Sequence, residues 1–252
     1  MSIQVEQTSK SKAFTLSTTE LLYIVCPVHY EQDNIKILCE KIIHSIALPF
    51  HILFIYDDPK DPTVAILEKI KTQNNDPHAN ISLLYNSRGG VIEALKLGLS
   101  VPPLNVPVVV IMADLCDDLA IVPQMIAEWK KGAVIVGGSR YIPGGKEIGA
   151  PLLKRTLSKI ASKSLYWLRK SPVQDVTNNF KLYNTHFLRD QTIESTGGFE
   201  LAMELTAKAL FQKKKIVEIP VTWTGRVNGK SKFKFMKWLP HYLRWYIYIL
   251  FH

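Results

Sequence analysis

The chain has 252 residues, 47% hydrophobic and 21% charged, with a formal net charge of +9. That is an ordinary globular mixture, long enough to bury one large α/β core, and it argues against two small domains. Cys26, Cys39 and Cys116 lack metal-type spacing and read as buried thiols in a reducing compartment.

Residues 1–20 are polar and contain no apolar run of signal-peptide length, which predicts a flexible tail and a cytoplasmic protein. Apolar runs of strand length follow at 21–28 (LLYIVCPV), 50–56 (FHILFIY), 81–85 (ISLLY), 106–113 (VPVVVIMA) and 133–137 (AVIVG). They are continuous rather than alternating, as in a sheet covered on both faces. Between them, residues 33–46, 62–72, 91–99 and 121–130 carry apolar residues at three- and four-residue steps, the helical period. This alternation predicts a mostly parallel sheet. Beyond Tyr141 the expected order is a Gly/Pro loop, a helix at 152–168, a strand at 180–183, a helix at 199–211 and a strand at 216–222.

The charge is uneven. From Lys208 onward there are ten basic residues and one acid, Glu218, so the rest of the chain is close to neutral. A partner carrying phosphates, a nucleic acid or a membrane surface would explain this, as would a solvated basic face.

Ligands of open parallel sheets sit at the carboxyl ends of the strands. Unusual polar residues occur at those positions here. Asp57 and Asp58 end the second strand, where carboxylates can accept hydrogen bonds from a base or ribose; Asp-Asp-Pro is equally good turn chemistry. The segment 86–90 (NSRGG) opens a helix, so its amides and Arg88 can face an anion, or form a plain turn. Asp114, Asp117 and Asp118 follow the fourth strand, where they can meet a divalent cation or cap the next helix. Asp175, Asn178 and Asn179 precede FKLY. Glu200 and Glu204 lie four apart on one helix, consistent with a surface pair.

Nine blocks in order resemble the dolichol-phosphate mannose synthase-like branch of glycosyltransferase family 2. They are PVHYEQDN, YDD, NSRGG with ALKLG, MADLCDD, GSRY with Gly144-Gly145, DVTNNFK, GFELAME, VEIP and RVNGKSK. The resemblance implies a single GT-A type α/β domain over 21–232 and inverting transfer from a nucleotide sugar, GDP-mannose or a UDP-sugar. The acceptor it implies is a polyprenyl-phosphate lipid. By position, Pro27, Tyr30, Glu31, Asp57, Asp58, Arg88 and Gly90 would bind the donor nucleotide. Asp114, Arg140 and Arg226 would be catalytic, and Arg140, Arg226, Lys230 and Lys232 would hold phosphates. Asp114 matches the last Asp of the family's Asp-x-Asp motif, but Met112 replaces the first and Cys116 stands where a Gln ligand often occurs. A cofactor Mg2+ or Mn2+ would then need Asp114 with Asp117 or Asp118. Asp175, Asn178, Asn179, Glu200 and Glu204 would shape the acceptor side. An acidic strand edge would repel a phosphate backbone, so nucleic acid is not an expected partner.

Residues 233–252 (FKFMKWLPHYLRWYIYILFH) are aromatic, apolar and basic together. The apolar run after Arg244 is too short to span a bilayer. Trp238, Tyr242, Trp245, Tyr246 and Tyr248 with the basic neighbours predict a C-terminal amphipathic helix at the headgroup boundary, on the cytoplasmic face of a membrane.

Overall fold

A computed structural model describes residues 21–150, 152–169, 171–226 and 235–251. The expected tail at 1–20 and the basic residues Lys230 and Lys232 lie outside the described residues.

Five parallel strands form in the predicted order: β1 (Leu22–Pro27), β2 (Phe50–Tyr56), β3 (Ala79–Tyr85), β4 (Pro107–Val110) and β5 (Ile135–Ser139). Helices α1 (Ile35–Ser45), α2 (Pro62–Gln73), α3 (Val91–Ser100) and α4 (Val122–Lys130) connect them. After β6 (Lys146–Ile148) come α5 (Leu152–Arg169), β7 (Lys181–Asn184), α6 (Thr185–Arg189), α7 (Leu201–Phe211), β8 (Ile216–Pro220), β9 (Thr222–Thr224) and α8 (Phe235–Phe251).

The main sheet has the order β3-β2-β1-β4-β7-β5-β8. Only β7 runs antiparallel, pairing Val108 with Tyr183 on one side and Val136 with Leu182 on the other. The continuous apolar runs are explained by two covered faces. Ile24, Phe54 and Val109 pack under α1 and α4, while Val25, Ile55 and Val110 pack against α3 and α7. Gly98 permits the close seating of α3, because a Cβ there would lie 2.5 Å from the Val25 side chain. The three cysteines are buried and free, as the sequence suggested.

Three short elements went unforeseen. Strands β6 and β9 pair only with each other, and α6 is a single turn capped by the Asn184 side chain. Three-residue strands carry too little periodicity to be read from sequence.

The C-terminal helix divides its side chains differently from the expectation. Trp245 and Ile249 are buried in a cluster with Leu165, Val173, Val176, Met203 and Ala207, so they are core rather than headgroup residues. Tyr246 bonds Ser164 of α5 at 2.9 Å, and the Trp245 indole donates to Ser195 at 3.1 Å. The outward stripe is instead Leu243, Ile247 and Phe251, at helical spacing. Trp245→Ala is accordingly expected to cost about 3–5 kcal/mol of stability, as for other buried aromatics. Phe251→Ser is expected to change the urea midpoint little, and equal losses in the two variants would put this helix face elsewhere.

Candidate active site

Parallel strands deliver acidic residues to one edge of the sheet. Glu31 lies just beyond β1, Asp57 and Asp58 beyond β2, and Asp114 beyond β4. The chain switches direction across the sheet between β1 and β4, and such a point opens a crevice at the carboxyl ends. Because β7 runs backwards, residues 175–180 enter it at the same edge, beside Arg140 at the end of β5. Strands β8 and β9 carry Arg226 there too.

The Arg226 guanidinium grips Glu31 through two bonds of 2.8 and 3.2 Å, and one nitrogen lies 4.0 Å from an Asp114 oxygen. Glu31 also accepts from Asn34 at 2.9 Å, so its carboxylate is anchored before any ligand arrives. Asp57 accepts from the Gly90 amide at 2.8 Å and meets His29 Nδ1 at 2.9 Å. Gly90 has φ +81°, a conformation that suits glycine and turns its amide onto Asp57. Asp58 accepts from the Tyr30 hydroxyl at 2.5 Å and from the Lys60 amide at 2.8 Å. Arg88 pairs with Glu93 at 3.2 Å.

Arg140 is enclosed. Its Nε and Nη2 donate to Asp175 at 2.7 and 2.8 Å, Nη1 donates to Glu147 at 3.2 Å, and Nη2 reaches Thr177 at 3.0 Å. Burial opposes ionisation of Asp175, but the adjoining guanidinium more than offsets it and holds the carboxyl below its usual range. Lys181 lies beneath this pair and donates to the carbonyls of Asp175 and Asn178. Burial lowers its ammonium to about 8.

Glu200 and Glu204 are not a surface pair: both are fully buried. Glu200 accepts from the amides of Gly197 and Gly198, at 2.7 and 2.5 Å, and Glu204 from those of Glu194 and Ser195, at 2.6 and 2.8 Å. They tie the loop before α7 to the helix and leave Phe199 facing the cleft.

Each aspartate after β4 has a distinct local task. Asp114 Oδ1 accepts from the Cys116 amide at 3.2 Å, Asp117 Oδ2 from the Met112 amide at 3.1 Å, and Asp118 Oδ1 from Ala120 at 3.2 Å. Among the described residues, no three His, Cys, Asp or Glu side chains assemble into a metal-holding group. The donor set therefore fits a divalent cation only as one or two carboxylates completed by diphosphate oxygens and water, an ordinary arrangement for Mg2+.

Burial, and then the neighbouring Asp114, push the Asp117 carboxyl from its ordinary 3.8 up to about 8. A carboxyl with a raised folded pKa contributes stability that is complete below its unfolded pKa and lost as pH rises through the folded one. In the absence of metal, wild-type melting temperature should thus fall between about pH 4 and pH 8 relative to Asp117→Asn, which cannot ionise. Parallel pH profiles of the two proteins would contradict a half-buried, neutral Asp117.

A cleft of about 900 Å3 joins these groups. Pro27, Glu31, Asp57, Gly90, Asp114, Asp117, Arg140 and Arg226 line its polar part, whereas Tyr30, Asp58, Arg88 and Asp118 are not among the lining residues. The other part is apolar and is walled by Leu157, Ile160 and Ala161 of α5 and by Leu239, Tyr242 and Leu243 of α8. Sequence reasoning placed a helix at 152–168 but missed this second wall, because helical spacing does not say whether apolar positions pack in a core or line a cleft. It also missed Glu147, a lone acid in a Gly/Pro loop, and Lys181, which reads like a surface lysine.

A parallel α/β sheet with one reversed strand and a cleft at its carboxyl edge is the architecture of the GT-A glycosyltransferases. Glucosyl-3-phosphoglycerate synthase from Mycobacterium tuberculosis, solved with Mn2+, UDP and glucosyl-3-phosphoglycerate, shares it with a TM-score of 0.64. The likeness covers 92% of this chain and 79% of that one at 14% identity, so it speaks for the fold alone. The glycosyl transferase family 2 model matches residues 23–191, and the chain belongs to that family. It is an enzyme of the glycosyltransferase class. It is 25% identical over 237 residues to polyprenol monophosphomannose synthase of Mycolicibacterium smegmatis, covering 90% of this chain and 86% of the relative. It is 28% identical over 229 residues to dolichol-phosphate mannosyltransferase of Pyrococcus furiosus, covering 88% of this chain and 61% of the relative. The chain thus spans about three fifths of that archaeal protein.

Proposed function

We propose that the chain transfers a hexosyl group, mannose, from a nucleoside-diphosphate sugar to a polyprenyl phosphate, with inversion at the anomeric carbon. The observation that carries this reading is the two-part cleft: a polar end with Asp57, Asp114 and Arg226 opens directly into an apolar end between α5 and α8. A donor diphosphate and a phosphate with a hydrocarbon tail together require such a pair of environments. The two relatives named for mannosyl transfer to polyprenol or dolichol phosphate support the same reading.

In this assignment Asp57 and Glu31 hold the nucleoside, with Pro27 and Gly90 shaping the cradle and Tyr30, Asp58 and Arg88 supporting its rim. Asp114, with Asp117 beside it, would hold Mg2+ or Mn2+, and the cation would supply charge neutralisation at the departing diphosphate. Arg226 brings a forked, permanent cation to the same place. An acceptor phosphate is already ionised at neutral pH, so little base catalysis is needed; what the residues must do is hold two anions together. Arg140, held by Asp175 and Glu147, fixes the 175–180 loop beside them. Lys230 and Lys232, which lie outside the described residues, are assigned to phosphate binding on the family resemblance alone. The protein works on the cytoplasmic face of a membrane, and no helix among the described residues is long and apolar enough to cross one.

The test is incubation of the protein with labelled GDP-mannose and UDP-sugars, each offered with a polyprenyl phosphate or a water-soluble saccharide. Label recovered in the organic phase with GDP-mannose alone supports the proposal. Label passing only to the saccharide would replace the lipid acceptor.

A further inference from the structure

Lys181, the first residue of β7, is 1% exposed in the middle of the sheet. An ammonium so placed must find its partners inside the protein. In the register Lys181 stands beside Gly137 of β5, and Gly137 stands beside Glu218 of β8. The glycine leaves a lane for the lysine stem: a Cβ there would lie 3.6 Å from Cγ and Cε of Lys181 and 3.7 Å from Nζ. The ammonium is turned toward the chain entering β7. It donates to the Asn178 carbonyl at 2.6 Å and to the Asp175 carbonyl at 3.2 Å.

Glu218 holds the same loop by its opposite polarity. Its two carboxylate oxygens accept from the Gln174 and Asp175 amides, both at 2.7 Å. A fixed cation therefore takes carbonyls of the 174–178 loop while a fixed anion takes its amides, and both sets of bonds are charge-assisted. The charged groups that face Lys181 are Asp175 on that loop, Glu218 on β8 and Arg140 at the end of β5. Burial lowers the ammonium to about 8 against the pull of the two carboxylates, which leaves it charged at neutral pH.

Neither Lys181 nor Glu218 is among the residues lining the cleft; the loop they hold lines it through Thr177, Asn178 and Asn179. Thr177 meets Ser158 of α5 at 2.7 Å, beside the apolar wall. The same loop delivers the Asp175 carboxylate that orients Arg140. Packing alone would not call for an ammonium in this lane, since an unbranched apolar chain of similar length would fill it.

We infer that Lys181 is a positioning residue for the acceptor half of the site. It acts through the carbonyls of Asp175 and Asn178, with Glu218 on the neighbouring amides, and so sets the loop and the direction of Arg140. The inference rests on the transferase reading of the cleft.

The test is Lys181→Met, which keeps the unbranched stem and removes the donor. In transfer from labelled GDP-mannose, KM for a polyprenyl phosphate should rise roughly tenfold and kcat should fall about as much, the pattern of a misplaced acceptor. GDP affinity should be unchanged, because Glu31 and Asp57 follow β1 and β2, on the other side of the sheet. Hydrogen exchange of the 174–180 amides should quicken while that of β1 and β2 stays as in wild type. Wild-type KM and kcat in the folded variant would overturn the inference. So would an equal loss of GDP affinity, which would mark a general disturbance of the sheet. Should Lys181→Met misfold, Lys181→Gln, which keeps a neutral donor in the lane, is measured in the same way and should show the same split at smaller size. A wild type that transfers nothing to polyprenyl phosphate would sink the transferase reading itself. Exchange would then judge Lys181 alone: faster exchange confined to the loop upholds its positioning role, and unchanged exchange ends it.

Discussion

Asp114→Ala is expected to lower turnover by roughly 100- to 1,000-fold, the usual loss when one electrostatic stabiliser of developing charge is removed. Asp114 lines the cleft and faces Arg226 at 4.0 Å, whereas the other carboxylate beside that arginine, Glu31, is already bound to it at 2.8 Å. Its neighbours offer limited relief. Asp117 is half-buried and its carboxyl is pushed up to about 8, chiefly by desolvation and then by Asp114 itself, while Asp118 caps the turn that follows. Since so few protein oxygens are on offer, the cation and the nucleotide should bind as a pair. Mn2+ should bind the free protein weakly, and nucleoside diphosphate should tighten it at least tenfold through the added phosphate ligands. Asp114→Ala should abolish that tightening, and chelator should silence the wild type. Near-normal turnover in Asp114→Ala with metal present would move the catalytic centre elsewhere. Full wild-type activity in chelator would leave the arginines as the main source of positive charge.

The sheet was legible in the sequence because burial on both faces forces continuous apolar runs such as FHILFIY, and these recur at strand length between segments of helical period. The strand-end residues were legible for a related reason: carboxylates directly after such runs have nowhere to go but the carboxyl edge. The reversed direction of β7 was not legible, since a four-residue strand reads the same in either sense. Nor could the sequence say which face of α8 is core. Its aromatic residues surround the helix, and only packing on α5 and α7 separates buried Trp245 and Ile249 from exposed Leu243 and Ile247. Glu200 and Glu204 illustrate the limit in another way. Four-residue spacing puts them on one face, but backbone amides rather than water satisfy them. That distinction lies in the loop geometry before α7, which no periodicity encodes.

Arg226→Ala is expected to lower turnover by roughly 100-fold or more while weakening nucleoside diphosphate binding by less than about tenfold. The asymmetry follows from where the guanidinium sits. It bridges Glu31, 2.8 Å away, toward Asp114, 4.0 Å away, so it stands between the nucleoside contacts and the place where diphosphate charge must grow. In the proposed assignment the base and ribose depend on Asp57, which Arg226 does not touch, as well as on Glu31, which Asn34 also anchors; the other guanidinium lining the cleft, Arg140, is already committed to Asp175 and Glu147. Arg226→Lys should recover only part of the rate, because an ammonium restores the charge but not the two-pronged geometry. Glu31→Gln separates the arginine's two engagements. It retains an acceptor for Asn34 and removes the charge that grips Arg226, so turnover should suffer less than in Arg226→Ala. Both rate and affinity should be measured, by single-turnover transfer and by nucleotide titration of the same preparations. Equal losses of rate and affinity in Arg226→Ala would make the residue an ordinary donor contact. A Glu31→Gln variant as slow as Arg226→Ala would show that the ion pair itself, rather than the free arginine, is what the reaction requires.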